Sequence, residues 1–125
     1  MRTLIVLILA LSCGACSSRG AADRYMDSAY EAYAANDCLG TLLALSQAER
    51  QRRVGSSMQP EISLLRGNCL ERQGLFVDAA QTYLFIQSRY PSSEYAFRAK
   101  ARLETLRQLG HYRVGDTVAI YPAKP

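Results

Sequence analysis

The sequence predicts an all-α fold, a short array of about five antiparallel helices in which two helix pairs are followed by a capping helix. Three observations lead there. Five stretches between residues 23 and 110 place apolar or small residues at helical spacing. Short breaks containing Asn, Gly or Pro separate them. A set of small, aromatic and proline positions recurs, in weaker form, one helix pair earlier.

The first helix covers 23–35, where Tyr25, Met26, Ala29, Tyr30, Ala32 and Tyr33 have amphipathic spacing. Asn36-Asp37 interrupts it. The second, over 38–50, carries Cys38, Leu39, Leu42, Leu43, Leu45 and Ala48. Gly55-Ser56-Ser57 reads as a loop and Pro60-Glu61 as a helix start. Proline lacks only an N–H that the first turn leaves unpaired, and a carboxylate there meets the positive end of the helix dipole. The third helix carries Ile62, Leu64, Leu65, Cys69 and Leu70 and stops at Gly74. Phe76, Val77, Ala79, Ala80, Tyr83, Leu84 and Ile86 form the fourth, ended by Pro91. Ser92-Ser93-Glu94 caps a fifth. That helix carries Tyr95, Ala96, Phe97, Ala99, Leu103, Leu106 and Leu109 and stops at Gly110. Leu65, Ala79, Tyr83, Phe97 and Leu103 are the expected core.

Gly67, Gly74, Ala79, Tyr83 and Pro91 follow one another at intervals of seven, five, four and eight residues. This spacing resembles the tetratricopeptide repeat, a helix–turn–helix unit of about 34 residues. In that family small residues let the paired helices approach, an aromatic fills the gap between them, and the proline ends the second helix. Ala29, Asn36, Thr41, Leu45 and Ala48 form a weaker earlier copy, about four residues longer, with the excess at 54–59. The stretch Arg89-Tyr90-Pro91-Ser92-Ser93-Glu94-Tyr95-Ala96 also resembles repeat junctions of outer-membrane-assembly and cell-division-coordinating envelope proteins. The alternative is a five-helix bundle with accidental spacing.

The N-terminus reads differently. Arg2 is followed by eight apolar residues, Leu4 to Leu11, which fits a signal peptide. A membrane span needs roughly 20. Small residues and cysteine come next, Ser12-Cys13-Gly14-Ala15-Cys16-Ser17-Ser18. They resemble the lipobox of bacterial lipoproteins, in which the Cys is diacylglycerol-modified, the leader is cut before it, and its amine is then acylated. Cys16 is the favoured lipidation site and Cys13 the alternative; an ordinary secretory signal is the plainer reading. Several acyl chains together anchor firmly. Neither Cys is followed by Asp, which by this resemblance implies the outer membrane, facing the periplasm. The chain then divides into a signal peptide (1–15), a lipidated tether (16–22), a helical-repeat domain (23–110) and a C-terminal tail (111–125).

The charge count, 15 Lys+Arg against 11 Asp+Glu, is mildly basic and shows no concentrated basic face, so nucleic acid is not an expected partner. Arg50-Gln51-Arg52-Arg53 sits where it complements a helix C-terminus rather than forming a patch. His111 is the sole histidine and follows Gly110, a capping or solvated position. No Ser-His-Asp set, paired-carboxylate motif, phosphate loop or HExxH is visible. The expectation is therefore no enzyme, no cofactor, no metal and no small-molecule substrate. Cys38 and Cys69 remain after export; the repeat resemblance places them level on neighbouring antiparallel helices, so a disulfide is expected in an oxidising periplasm. The alternative is two buried thiols acting as small hydrophobes.

Repeats of this family bind extended peptides or helices in a concavity lined by the first helix of each pair. Mapped here, that face carries Asp23, Met26, Tyr30 and Tyr33, then Leu64, Asn68, Glu71 and Arg72, then Arg98 and Arg102. Tyr and Arg are favoured interface anchors, although an aromatic row on a helix is often core instead. Residues 113–121 have strand propensity. The expected function is a lipid-anchored envelope module for protein–protein interaction, an adaptor or scaffold in a secretion, pilus or outer-membrane-assembly complex. The alternative is a structural envelope lipoprotein that binds peptidoglycan or polysaccharide.

Overall fold

The computed structural model describes residues 20–52 and 56–115. These form five helices, α1 (Ala21–Ala34), α2 (Cys38–Gln51), α3 (Gln59–Arg72), α4 (Phe76–Arg89) and α5 (Glu94–Gln108), with no strand among the described residues. The expected leader, the lipidation candidates Cys16 and Cys13, and the tail beyond Gly115 lie outside them. So does most of the stretch of strand propensity, 113–121; its described part, 113–115, is turn and irregular chain.

Four of the five helices carry a capping side chain or a left-handed turn at one end or both. The Asp23 carboxylate accepts the Gly20 N–H at 3.1 Å ahead of α1. Asp37 caps α2 by accepting the Gly40 N–H at 2.8 Å, and Ser93 caps α5 through the Ala96 N–H. Asn36, Gly74 and Gly110, just past α1, α3 and α5, have φ of 61°, 75° and 73°. Each is followed by the same pair of bonds: Asn36 to Tyr33 and Asp37 to Ala32, Gly74 to Glu71 and Leu75 to Leu70, Gly110 to Arg107 and His111 to Leu106. This is the Schellman arrangement, which pairs carbonyls that a helix end leaves open. Its left-handed residue is cheap for Gly and tolerable for Asn.

Consecutive helices pack in order, and α3 also meets α5. α1 and α3 start and end 38 residues apart, as do α2 and α4. Four of the equivalent positions expected from sequence fall in this register, Ala29 with Gly67, Asn36 with Gly74, Thr41 with Ala79 and Leu45 with Tyr83; the same register sets Ala48 level with Ile86, not with Pro91. All but the turn pair are buried.

Two cores lie side by side. Met26, Ala29, Leu45 and Ala48 share the first with Ile62 and Leu65 of α3. Leu64, Ala79, Tyr83, Ile86, Ala99, Leu103 and Leu106 build the second, closed by Tyr112 beyond α5. α3 is wedged between them and buries eight of its residues. Two of these are polar: Gln59 bonds Glu49 and Ser63, the second of them. Four of the five expected core residues are buried. Phe97 is not: it is 71% exposed. The face of α5 that packs inward carries Ala96, Ala99, Leu103 and Leu106 at helical spacing, and Phe97 is turned about 100° away from Ala96. The same geometry exposes Leu109, and on α2 it exposes Leu39 and Leu43.

Candidate partner-binding face

The first helices of the array, α1, α3 and α5, are tied by polar contacts along one shared face. Tyr30 of α1 donates its hydroxyl to Glu61 Oε1 of α3 at 2.7 Å. Burial, and then this carboxylate, raise the Tyr30 phenol above its ordinary range. Tyr95 of α5 is raised by burial and by the same Glu61, which thus stands between aromatics of both neighbours.

Further along, the Arg72 guanidinium lies 3.5 Å over the Tyr33 ring and donates Nη1 to the Tyr33 carbonyl at 2.8 Å. A cation over a ring face is attracted by its quadrupole, by about 0.5–1 kcal/mol where exposed. Burial raises the Tyr33 phenol against the opposing pull of Arg72.

The third link begins in the core. The Tyr83 ring lies against Gly67, where a Cβ would come within 2.5 Å of Cε1. Its hydroxyl emerges beside Asn68 Oδ1 at 2.8 Å and Glu71 Oε2 at 2.9 Å. Burial and then Glu71 push the phenol far up, so the proton stays on oxygen at any working pH. Glu71 in turn takes both Nε and Nη2 of Arg102, a forked ion pair between α3 and α5. The hydrogen bond to Glu71 raises Arg102 further.

Tyr33, Asn68, Glu71, Arg72 and Arg102 line one cavity of about 360 Å³, completed by Phe76, Leu109 and His111. Five of the ten residues expected on this face are thus brought together. Tyr30 lies on the same face with Glu61. Arg98 lies apart from this cavity, paired with Glu94 at 3.3 Å and 5.6 Å from the Tyr95 ring centre. Met26 is a correction: it is 5% exposed, inside the first core, because the face of α1 that meets α2 carries Ala22, Met26 and Ala29. Leu64 is likewise core, and Asp23 serves the Gly20 N–H.

Sequence reading passed over Phe76 and His111. Their rings stack at 3.9 Å with 13° between planes. Phe76 opens α4 and His111 follows Gly110, so the turns at Gly74 and Gly110 bring them together. Nothing in the spacing of one helix reveals a contact made by two turns.

Cys38 and Cys69 are both buried and free. The structure brings them together: burial, then a hydrogen bond with Cys38, push the Cys69 thiol up to about 12. On another side of α3, Arg66 grips Glu49 of α2 through Nη1 at 3.2 Å and Nη2 at 2.7 Å. Burial pulls the Glu49 carboxyl up, but hydrogen bonds from Arg66 and Gln59 outweigh it and hold the group below its usual range. A cavity of about 520 Å³ adjoins this clamp and includes none of the expected partner residues.

Among the described residues no group of three His, Cys, Asp or Glu side chains is placed to hold a metal ion. No described helix is long and apolar enough to cross a membrane. No protein-family model, curated protein or solved structure matches the chain.

Proposed function

We propose that the chain is a lipid-anchored envelope adaptor that binds a protein partner across the shared face of α1, α3 and α5. One observation carries the reading: Tyr33, Asn68, Glu71, Arg72 and Arg102 surround a single cavity edged by Phe76 and Leu109. Forked guanidinium groups beside aromatic and apolar surface are the ingredients of interface anchors. The inter-helix bonds fix these side chains before a partner arrives, which lowers the ordering cost of association. A peptide, offering carboxylates to the arginines and apolar side chains to Phe76 and Leu109, suits this mixture better than a glycan. Anchoring rests on the lipobox resemblance at Cys16 or Cys13.

The test uses the full chain in a bacterial host. Proteins cross-linked to it in intact envelopes are compared for the wild type, Arg72→Ala and Arg102→Ala, with thermal melting of each. The adaptor reading expects one partner to be lost from both variants by more than any shift in melting explains. Equal capture by all three, or co-sedimentation with purified peptidoglycan in place of protein, rules it out. Fatty-acid labelling of Cys16→Ser, Cys13→Ser and the double variant tests the anchor; a double variant that still labels overturns it.

A further inference from the structure

Among the described residues the array ends on α5. Ala96, Ala99 and Leu103 of α5 pack inward and stand 34 positions after Ile62, Leu65 and Cys69. Those three face the preceding unit: Ile62 and Leu65 enter the first core, and Cys69 meets Cys38. α5 is therefore a third first-helix, yet no second helix follows it among the described residues. In the same register Gly67, the small residue beneath Tyr83, corresponds to Ala101, which is exposed. On an α-helix Ala101 points directly away from the buried face, flanked by Phe97, Arg98, Glu104 and Thr105.

The order of these residues has a twofold logic. When two copies of α5 cross antiparallel at Ala101, each residue meets the one equally far on the other side. Arg98 then meets Glu104 of the second copy, and Glu104 meets its Arg98. Glu94 meets Gln108, and Phe97 meets the methyl of Thr105. Every pair is complementary and occurs twice, as a closed twofold interface requires. At the crossing the two alanines permit close approach of the backbones, and Phe97, 71% exposed, is covered.

The geometry points to a second copy of this chain as the partner of the exposed α5 face, in an antiparallel dimer centred on Ala101. The contacts given up are exposed pairs within one helix, Arg98 with Glu94 and Glu104 with Arg107 and Gln108. Such pairs contribute little. One helix pair buries less than a standard interface, so the dimer is weak and is best read by cross-linking. This face lies apart from the cavity proposed for the partner peptide, so the two readings fail separately.

The test is Ala101→Cys in the full chain, treated in intact cells with a short bismaleimide. Wild type and Lys100→Cys, exposed but off the contact line, give the background. Ala101→Cys should yield a covalent dimer several-fold above both. Adding Arg98→Glu should cut that yield about fivefold by setting two acidic pairs face to face, and adding Glu104→Arg as well should restore it. A yield at Ala101→Cys no higher than at Lys100→Cys overturns the proposal. So does a double reversal that recovers nothing while melting as the single variant does.

Discussion

The two helix pairs share a frame and fill it differently. Both put 14-residue helices in the same register and end the first helix with the same turn. In the first, Ala29 and Leu45 meet in an apolar core. In the second, the equivalent positions hold Gly67 and Tyr83, and the larger ring occupies the space a Cβ would take. The exchange has a consequence at the surface. Leu45 ends in methyl groups, whereas Tyr83 carries a hydroxyl out to Asn68 and Glu71. The second pair thus couples its core to the candidate site through a hydrogen-bonded hydroxyl, whereas the first core touches it only through Tyr33, packed against its edge.

Truncating the two equivalent residues is the strongest way to break that comparison. Tyr83→Ala should cost about 3–5 kcal/mol and Leu45→Ala about 2–5. Denaturant or thermal melting measures both. Only Tyr83→Ala should also loosen the aim of the Glu71–Arg102 pair, since it strips Glu71 of its Tyr83 restraint; Leu45→Ala should leave partner capture by the folded fraction intact. Equal loss of capture in the two variants would show that the site depends on stability alone.

The cysteines couple the pairs, Cys38 from the first and Cys69 from the second. In exported protein they are expected to oxidise to a disulfide. The enclosed loop of about 30 residues would contribute roughly 3–4 kcal/mol in the chain-entropy account. Reductant should then lower the melting temperature, and thiol labelling after unfolding should find neither residue free. Labelling of both in exported protein overturns this. The reduced form has its own signature. A thiol raised to about 12 when folded, against about 8.5 when unfolded, holds its proton better in the native state. Its contribution is complete below the unfolded value and is lost as pH rises through that interval. Native alkylation of Cys69 should therefore stay slow at pH 8.

How much of this was legible in sequence follows from the range of each cause. Helix boundaries depend on neighbours within one turn, and Asn36, Gly74, Ser93 and Gly110 all act where their chemistry suggests. The repeat register was visible because Gly67 and Tyr83 are a matched pair of extremes. Faces were harder. Met26 and Tyr30 are four residues apart on α1, yet one is core and the other exposed, because α2 covers the side of α1 that carries Met26. The residue type of Phe97 suggests core, but Ala96 and Ala99 allow α5 to approach α4 closely and leave Phe97 outside. The contacts Tyr30–Glu61, Tyr33–Arg72 and Glu71–Arg102 join residues 31 to 39 apart. No local rule gives their partners; they follow once the 38-residue register from α1 to α3 and the 34-residue one from α3 to α5 set the helices side by side.

That register also suggests a transplant. Gly67→Ala alone should cost about 1–3 kcal/mol, because the new methyl meets the Tyr83 ring in a filled core. Combined with Tyr83→Leu it recreates the Ala29–Leu45 pairing in the second frame. The double variant should be more stable than the sum of the single losses, which a double-mutant cycle reads directly. Strict additivity would mean that the two pairs do not share one packing solution.

The smallest change addresses the hydroxyl itself. Tyr83→Phe keeps the ring against Gly67 and removes only the oxygen beside Asn68 and Glu71. Loss of one such bond costs about 1 kcal/mol, or about 4–8 °C in a domain of this size. Arg102 still grips Glu71, so the fold survives. What changes is the aim of the carboxylate: one of its two restraints is gone, and the forked pair with Arg102 can swing across the cavity. Partner capture should weaken in Tyr83→Phe by more than its stability loss explains, and Leu45→Ile, a shape change of similar cost in the first pair, should not weaken it. Unchanged capture in Tyr83→Phe would mean that Arg102 alone fixes Glu71, and that the second core supports the site without shaping it.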